Sequence, residues 1–221
     1  MSELSPFAEL AARPDAHLDV LALALAAEFR EVDAGEALAS LDDLGEELSA
    51  EAALTTADPE QQALACARLL GGVHGFEGDR GDYDSPENSM LDLVLTRRRG
   101  LPILLSVVYV EVARRAGIPL AGVGLPGHFV VGHFGVSPPV LLDPFAGGGV
   151  TEIRGAEAHV QPWSPHEIAM RMLHNLVSAY QRRGDIGAAI RAANMRLALP
   201  ADESHRTLLE AEARAMQARL N

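Results

Sequence analysis

The stretch that most constrains this chain is ILLSVVYV, Ile103 to Val110, which is apolar on every side except at Ser106 and Tyr109. Pro102 before it and Gly117 after it frame a helix, by the preference of proline for the first turn and glycine for the end. A helix with no polar face cannot lie on a surface, so it must run through the centre of its domain. The rest of the chain has to wrap it. With 221 residues, 48% of them hydrophobic, there is enough chain for one such domain and an appendage.

The flanks read differently on the two sides. Residues 1–80 read as an N-terminal helical part. RPDAHLDVLALALAAEFREV has leucines at three- and four-residue spacing with Asp15 as a possible cap, and ADPEQQALACARLLGG is capped by Asp58 and Pro59 and ends at Gly71. Gly75 to Asp84 is rich in glycine and aspartate and reads as a loop; Ser85–Pro86 then starts a helix running to the three arginines before Gly100. After Pro119, LAGVGL, HFVVGHF and PPVLLDPF are short β-rich runs separated by Pro-Gly and Ser-Pro-Pro, the pattern of an antiparallel meander. From Ser164 the pattern is helical: two helices joined at Gly184–Asp185, then a third from about Asp202. The divisions are 1–80, a core at 81–162, and a tail at 163–221.

Acyl-transfer chemistry needs a nucleophile, a base within hydrogen-bond reach and a group that orients the base. His128 and Asp143 fit base and orienter if their strands are neighbours. A nucleophile at a helix N-terminus gains from the dipole and the free N–H groups there. At this helix start, Leu101–Pro102–Ile103, no side chain is nucleophilic. Ser106 lies about one turn, ~6 Å, deeper, beyond the free N–H groups, where a serine tends to bond back to the carbonyl four residues earlier.

Gly100, the apolar helix, Gly117–Ile118–Pro119, a strand opening on His128 and Asp143–Pro144 resemble the core of the transglutaminase-like superfamily. Its pattern is Gly-x-Cys, an apolar helix, Gly-Ile-Pro, a strand beginning with His and a later Asp-Pro. On that alignment the cysteine position falls on Pro102, the histidine on His128 and the aspartate on Asp143. Within the superfamily, DYDSPENSMLDLVLTRRRGLPILLSVVYVEVARRAGIPL closely resembles the bacterial SirB-type branch, which joins such a core to a tetratricopeptide-like tail. Ala179–Tyr180, Gly184–Asp185, Ala189 and Pro200 sit near the usual places of one tetratricopeptide unit, fewer than the three a stacked array needs. The resemblance implies an α+β fold with a papain/transglutaminase-like core, a central buried helix against a small antiparallel sheet, flanked by N-terminal helices and a helical-hairpin tail.

Other residues carry less. Tyr83 and Asn88 in DYDSPEN, and Tyr109 on the core helix, are candidate binding side chains; capping by Ser85 or Asn88 with Tyr83 packed beneath is the structural alternative. His133 is an odd step from His128 and should face the other side of its strand, which argues against a His–His metal site. AGGG at Ala146–Gly149 lacks the Gly-Lys-Ser/Thr of a phosphate loop. Cys66, mid-helix on an apolar side, reads as a small buried hydrophobe.

Composition narrows the function. A net charge of −13 argues against binding nucleic acid. All basic residues are arginine, and the clusters Arg97–Arg99, Arg114–Arg115 and Arg182–Arg183 read as helix ends. No apolar run is long enough for a membrane span, and MSELSPFAEL lacks the basic start of a signal peptide, so a soluble, cytoplasmic protein without cofactor is expected. The expected function is that of a pseudoenzyme whose cleft or tail binds a protein or peptide partner. The rival is a hydrolase or acyltransferase using Ser106, His128 and Asp143. Any role in regulating transcription would act through protein contacts.

Overall fold

The computed structural model describes residues 4–52, 58–151 and 160–218. The apolar run forms α6 (Pro102–Arg115), and of its residues only Val110, Arg114 and Arg115 escape full burial. Around it pack α2 (Leu18–Ala27) and α3 (Ala34–Ala52) from the N-terminal part, α5 (Leu91–Arg97), two strands of the sheet, and α7 (Pro165–Arg182) from the tail. One hydrophobic core runs from Phe7 on α1 (Phe7–Ala11) to Met216 on α9 (Glu203–Gln217). The prediction that this helix is central is met, for the stated reason: an all-apolar helix is stable only when every side is covered.

The sheet is an antiparallel meander, β3 (Leu120–Leu125), β4 (His128–His133), β5 (Val140–Asp143) and β6 (Gly149–Val150), in that order. Leu125 pairs with His128 across the two-residue turn Pro126–Gly127, where Gly127 takes φ 71°, the left-handed conformation that a turn with proline first requires of its second residue. Phe129, Val131 and Leu142 join the α6 core, while Val123, Val130 and Leu141 form a separate small cluster. The helix-plus-sheet α+β architecture is therefore as expected.

Several boundaries differ from expectation. α2 follows His17, with no side-chain cap and no role for Asp15. α4 (Pro59–Cys66) is capped by Asp58, whose carboxylate accepts from Gln61 N, but the helix does not stop at Gly71; it widens into a π-helical turn over Ala67–Val73. The helix expected from Pro86 to the arginines is broken. A 3-10 turn, Pro86–Ser89, is followed by extended Met90 and then α5, because the Asn88 carbonyl is drawn off to accept from Leu101 N at the entry to α6. Arg98 is left-handed, and Arg99–Gly100 form β2, paired in parallel with β1 (Glu77–Gly78) inside the expected loop.

In the tail, a capping box between Ser164 and Glu167 starts α7, Asp185 caps α8 (Ile186–Met195) and Asp202 caps α9. The Phe29 and Tyr180 rings stack at 5.3 Å, and the Arg191 guanidinium donates to the Glu28 carbonyl at 2.7 Å, which fixes the tail to the N-terminal part.

The C-terminal end of α6 carries a buried charge network. Asp19 on α2 and Glu111 on α6 are each 2% exposed. Arg115 reaches Asp19 at 2.7 Å, Glu111 at 3.0 Å and Asp42 of α3 at 2.6 Å, and Arg114 reaches Glu111 at 2.7 Å. Burial opposes ionisation of Asp19, but the bonds from Arg115 and from Val20 N outweigh it and hold the carboxyl below its usual range. Burial, and then the Asp19 charge, pushes Glu111 up. The arginine pair does more than complement a helix dipole: it ties three helices together.

Candidate functional site

The Pro126–Gly127 turn sets His128 at the first position of β4, and Asp143 ends the neighbouring β5. Their side chains meet: His128 Nε2 lies 2.9 Å from Asp143 Oδ2. The other oxygen of Asp143, Oδ1, accepts from Phe145 N at 3.0 Å and Ala146 N at 3.3 Å, capping the 3-10 turn Pro144–Ala146. The carboxylate is thus held by backbone before it touches the imidazole. A carboxylate beside Nε2 accepts a hydrogen bond from the N–H there and leaves Nδ1 with its lone pair, the arrangement of an oriented general base. With side chains 32% and 20% exposed, the pair is open to solvent.

Among the described residues, no nucleophilic side chain is hydrogen-bonded to that base. Ser106 is 1% exposed and its Oγ donates to the Pro102 carbonyl at 2.8 Å, the back-bond expected of a mid-helix serine. Among the described residues no hydrogen bond joins Ser106 to His128. Pro102, at the head of α6, is buried and carries no reactive atom. Cys66 is fully buried, and burial pushes its thiol up to about 12, so it is a packing residue.

Of the three expected binding side chains, only Tyr83 reaches solvent, at 46% exposure. Asn88 is fully buried; its Nδ2 donates to the Asp82 carbonyl at 2.8 Å, so it fixes the loop from within. Tyr109 is likewise buried, and burial pushes its hydroxyl up. It lies beneath the Gly147–Gly148 turn, where a Cβ on Gly148 would come within 2.6 Å of the Tyr109 oxygen. These two residues correct the expectation: their place in the core makes them supports, not contact residues.

His133 faces away from His128, as the odd step requires, and is buried. Its Nδ1 accepts from Gly135 N at 3.1 Å, so Nε2 carries the proton and donates to Gln62 Oε1 at 2.9 Å. Burial holds its pKa below the usual histidine range. Among the described residues no group of three His, Cys, Asp or Glu side chains is placed to hold a metal ion.

The residue missed by sequence reasoning is Phe145. Its ring lies edge-on to His128 (centroids 6.3 Å apart) and to Tyr83 (5.9 Å), and the Arg80 guanidinium sits 5.5 Å from its centroid. Gly78 makes room for it, since a Cβ there would fall 2.3 Å from the ring. The loop carrying Arg80 and Tyr83 is anchored by Asp79, whose Oδ1 accepts from Gly81 N and Asp82 N, both at 3.0 Å. Arg183 holds Asp82 at 2.5 Å and Arg182 holds Asp84 at 2.7 Å, so the end of α7 clamps the loop. A signal was present in the sequence: Arg80 is the one cation between Gly75 and Asp84, and Phe145 follows Asp143–Pro144.

Among the described residues no helix is long and apolar enough to cross a membrane. A UPF0162 protein of Xylella fastidiosa is 38% identical over 144 residues, covering 57% of this chain and 51% of that protein. A UPF0162 protein of Pseudomonas aeruginosa is 33% identical over 135 residues, 54% of this chain and 48% of that one. F-box only protein 21 of mouse is 32% identical over 126 residues, 49% of this chain but 20% of that protein. The chain spans about half the length of these two bacterial relatives. No solved structure matches it significantly. The transglutaminase-like superfamily model matches residues 35–174, the stretch that holds α6, the sheet and the His128–Asp143 pair; the chain therefore belongs to the transglutaminase-like superfamily.

Proposed function

We propose that this chain is a non-catalytic member of the superfamily, of the SirB-type branch with a tetratricopeptide-like tail, and that it works by binding a protein or peptide partner. The observation that carries the reading is a formed His128–Asp143 pair with, among the described residues, no nucleophilic side chain hydrogen-bonded to it. A His–Asp pair orients a base, and without a group to deprotonate it performs no acyl transfer. Kept in place, it offers a hydrogen-bonding edge against the Phe145 ring, which exposed Tyr83 also meets. The match to one fifth of a mouse F-box only protein supports a module used within larger proteins.

The rival reading, hydrolysis or acyl transfer through Ser106, His128 and Asp143, draws on the same intact pair. It requires Ser106 to leave the Pro102 carbonyl and become accessible. Two measurements separate the readings. A fluorophosphonate probe should leave the wild type unlabelled; labelling that vanishes in Ser106→Ala would establish the rival. Pro102→Cys should create a thiol that reacts with iodoacetamide near neutral pH and slows when His128→Ala is added, since a thiolate at a helix N-terminus beside an imidazole is stabilised. A Pro102→Cys thiol that is inert, or indifferent to His128, would show that Pro102 is not the lost nucleophile position.

A further inference from the structure

The segment from Glu77 to Glu87 carries five acids within a few residues of Arg80: Glu77, Asp79, Asp82, Asp84 and Glu87. Each is taken by a different arginine or by the backbone. Glu77 pairs with Arg99 at 2.6 Å, Glu87 with Arg97 at 2.7 Å, and Asp82 and Asp84 with Arg183 and Arg182. Asp79 accepts from two backbone N–H groups and from Arg97 at 3.3 Å. Arg80 pairs with none of them among the described residues; it is exposed and stacked on Phe145.

In a chain with 31 acids against 18 arginines, that is an unusual place for a cation to stand unpaired. Stacking on an aromatic face keeps a guanidinium in place while its N–H fork stays free for a carboxylate. The same ring meets Tyr83 on one edge and His128 on another, so a cation, an exposed phenol ring and the imidazole bonded to Asp143 share one small surface. Arg191 provides the contrast. It also sits over an aromatic ring, Phe29 at 5.9 Å, but its NH1 is already committed to the Glu28 carbonyl.

We propose that Arg80, Tyr83, Phe145 and His128 form a recognition site for a carboxylate-bearing peptide segment of a partner protein. Arg80 takes the carboxylate, the Tyr83 and Phe145 rings take the adjoining apolar group, and His128 Nδ1 accepts a peptide N–H. This inference rests on the binding reading above and names the chemistry of that same site. The carboxylate belongs either to an acidic side chain or to a chain terminus, and both present the same fork-shaped acceptor to Arg80.

A phage-displayed library, in C-terminal and internal formats, tests it against immobilised protein, with fluorescein-labelled copies of the winners titrated by anisotropy. Selected peptides should carry Asp, Glu or a free terminus. Their affinity should fall at least about tenfold in Arg80→Met and less in Tyr83→Ala, and hold in Arg191→Met. All three sites are at least partly exposed, and unchanged thermal melts confirm folded variants. Loss of binding on amidation assigns the terminus; loss on Glu→Gln assigns the side chain. Winners without a carboxylate, or indifferent to Arg80→Met, overturn the site while leaving the binding reading intact. A library that yields no winner, or fluorophosphonate labelling at Ser106, overturns the binding reading and this site with it.

Discussion

Two charged regions beside α6 hold charge in opposite ways. At the C-terminal end, Asp19 and Glu111 are sealed from water and every partner is a direct one, with Arg115 serving three carboxylates from three helices. On the sheet side, α6 packs against β4, whose His128 meets Asp143 in a pair a fifth to a third exposed, and only the carboxylate is anchored by backbone. The contrast separates charge used to build from charge left available. Buried charges with all their valences filled have nothing to offer a ligand, and removing one strands the others. An oriented imidazole with a free nitrogen at the surface costs the fold little and remains open to an incoming group.

The largest test of that contrast is Arg115→Met. It leaves the buried Asp19 and Glu111 with Arg114 as their one remaining arginine and should cost about 3–5 kcal/mol, read as a drop in the urea midpoint. A loss under about 1 kcal/mol would place the network among weak surface pairs instead.

A second, smaller effect concerns pH. Because folding pushes the Glu111 carboxyl up, the folded state holds a proton there that the unfolded chain gives away. This contribution is complete below the ordinary glutamate range and disappears as pH rises through the raised value. Asp19 runs the other way, in a lower window: its stabilisation is present above the ordinary aspartate range and is lost as pH falls through the depressed value. Glu111→Gln keeps the shape and has no proton to gain. The wild type should therefore lose stability relative to Glu111→Gln as pH rises above the ordinary glutamate range, and equal slopes would refute the raised carboxyl.

The smallest effect belongs to the exposed pair on the sheet. His128→Ala should change the urea midpoint by less than about 1 kcal/mol, since the pair is solvent-exposed and Asp143 keeps its backbone donors. A cost near that of Arg115→Met would make the pair a structural one and remove the contrast.

Most of the fold was legible because its strongest signals are local. The Asp58 cap, the Pro126–Gly127 turn, the helix start at Ser164 and the all-apolar run each act within a few residues, and each element begins where expected. What was not legible depends on distant partners. The break at Met90 exists because Leu101 claims the Asn88 carbonyl, and β1–β2 pairing needs the strand ends of two separate segments. The chain passes Gly71 without stopping because the widened turn lays that glycine against the Gly147 carbonyl, where a Cβ would approach to 1.9 Å. At the site, the His–Asp pairing followed from neighbouring strands. The burial of Tyr109 and Asn88, and the stacking of Arg80 on Phe145, are tertiary facts that no spacing encodes.

The clamp of Arg182 and Arg183 on Asp84 and Asp82 ties the tail to the loop beside Phe145. The loop that presents Arg80 and Tyr83 hangs from the last turn of α7 as a sign hangs from a bracket. A partner that tilts the bracket re-aims the sign, and by reciprocity an occupant beneath the sign resists the tilt with the same free energy. The surface where a ligand would land and the helices where a second protein would grip are thus two readings of one lever, salt-sensitive because its joints are exposed ion pairs.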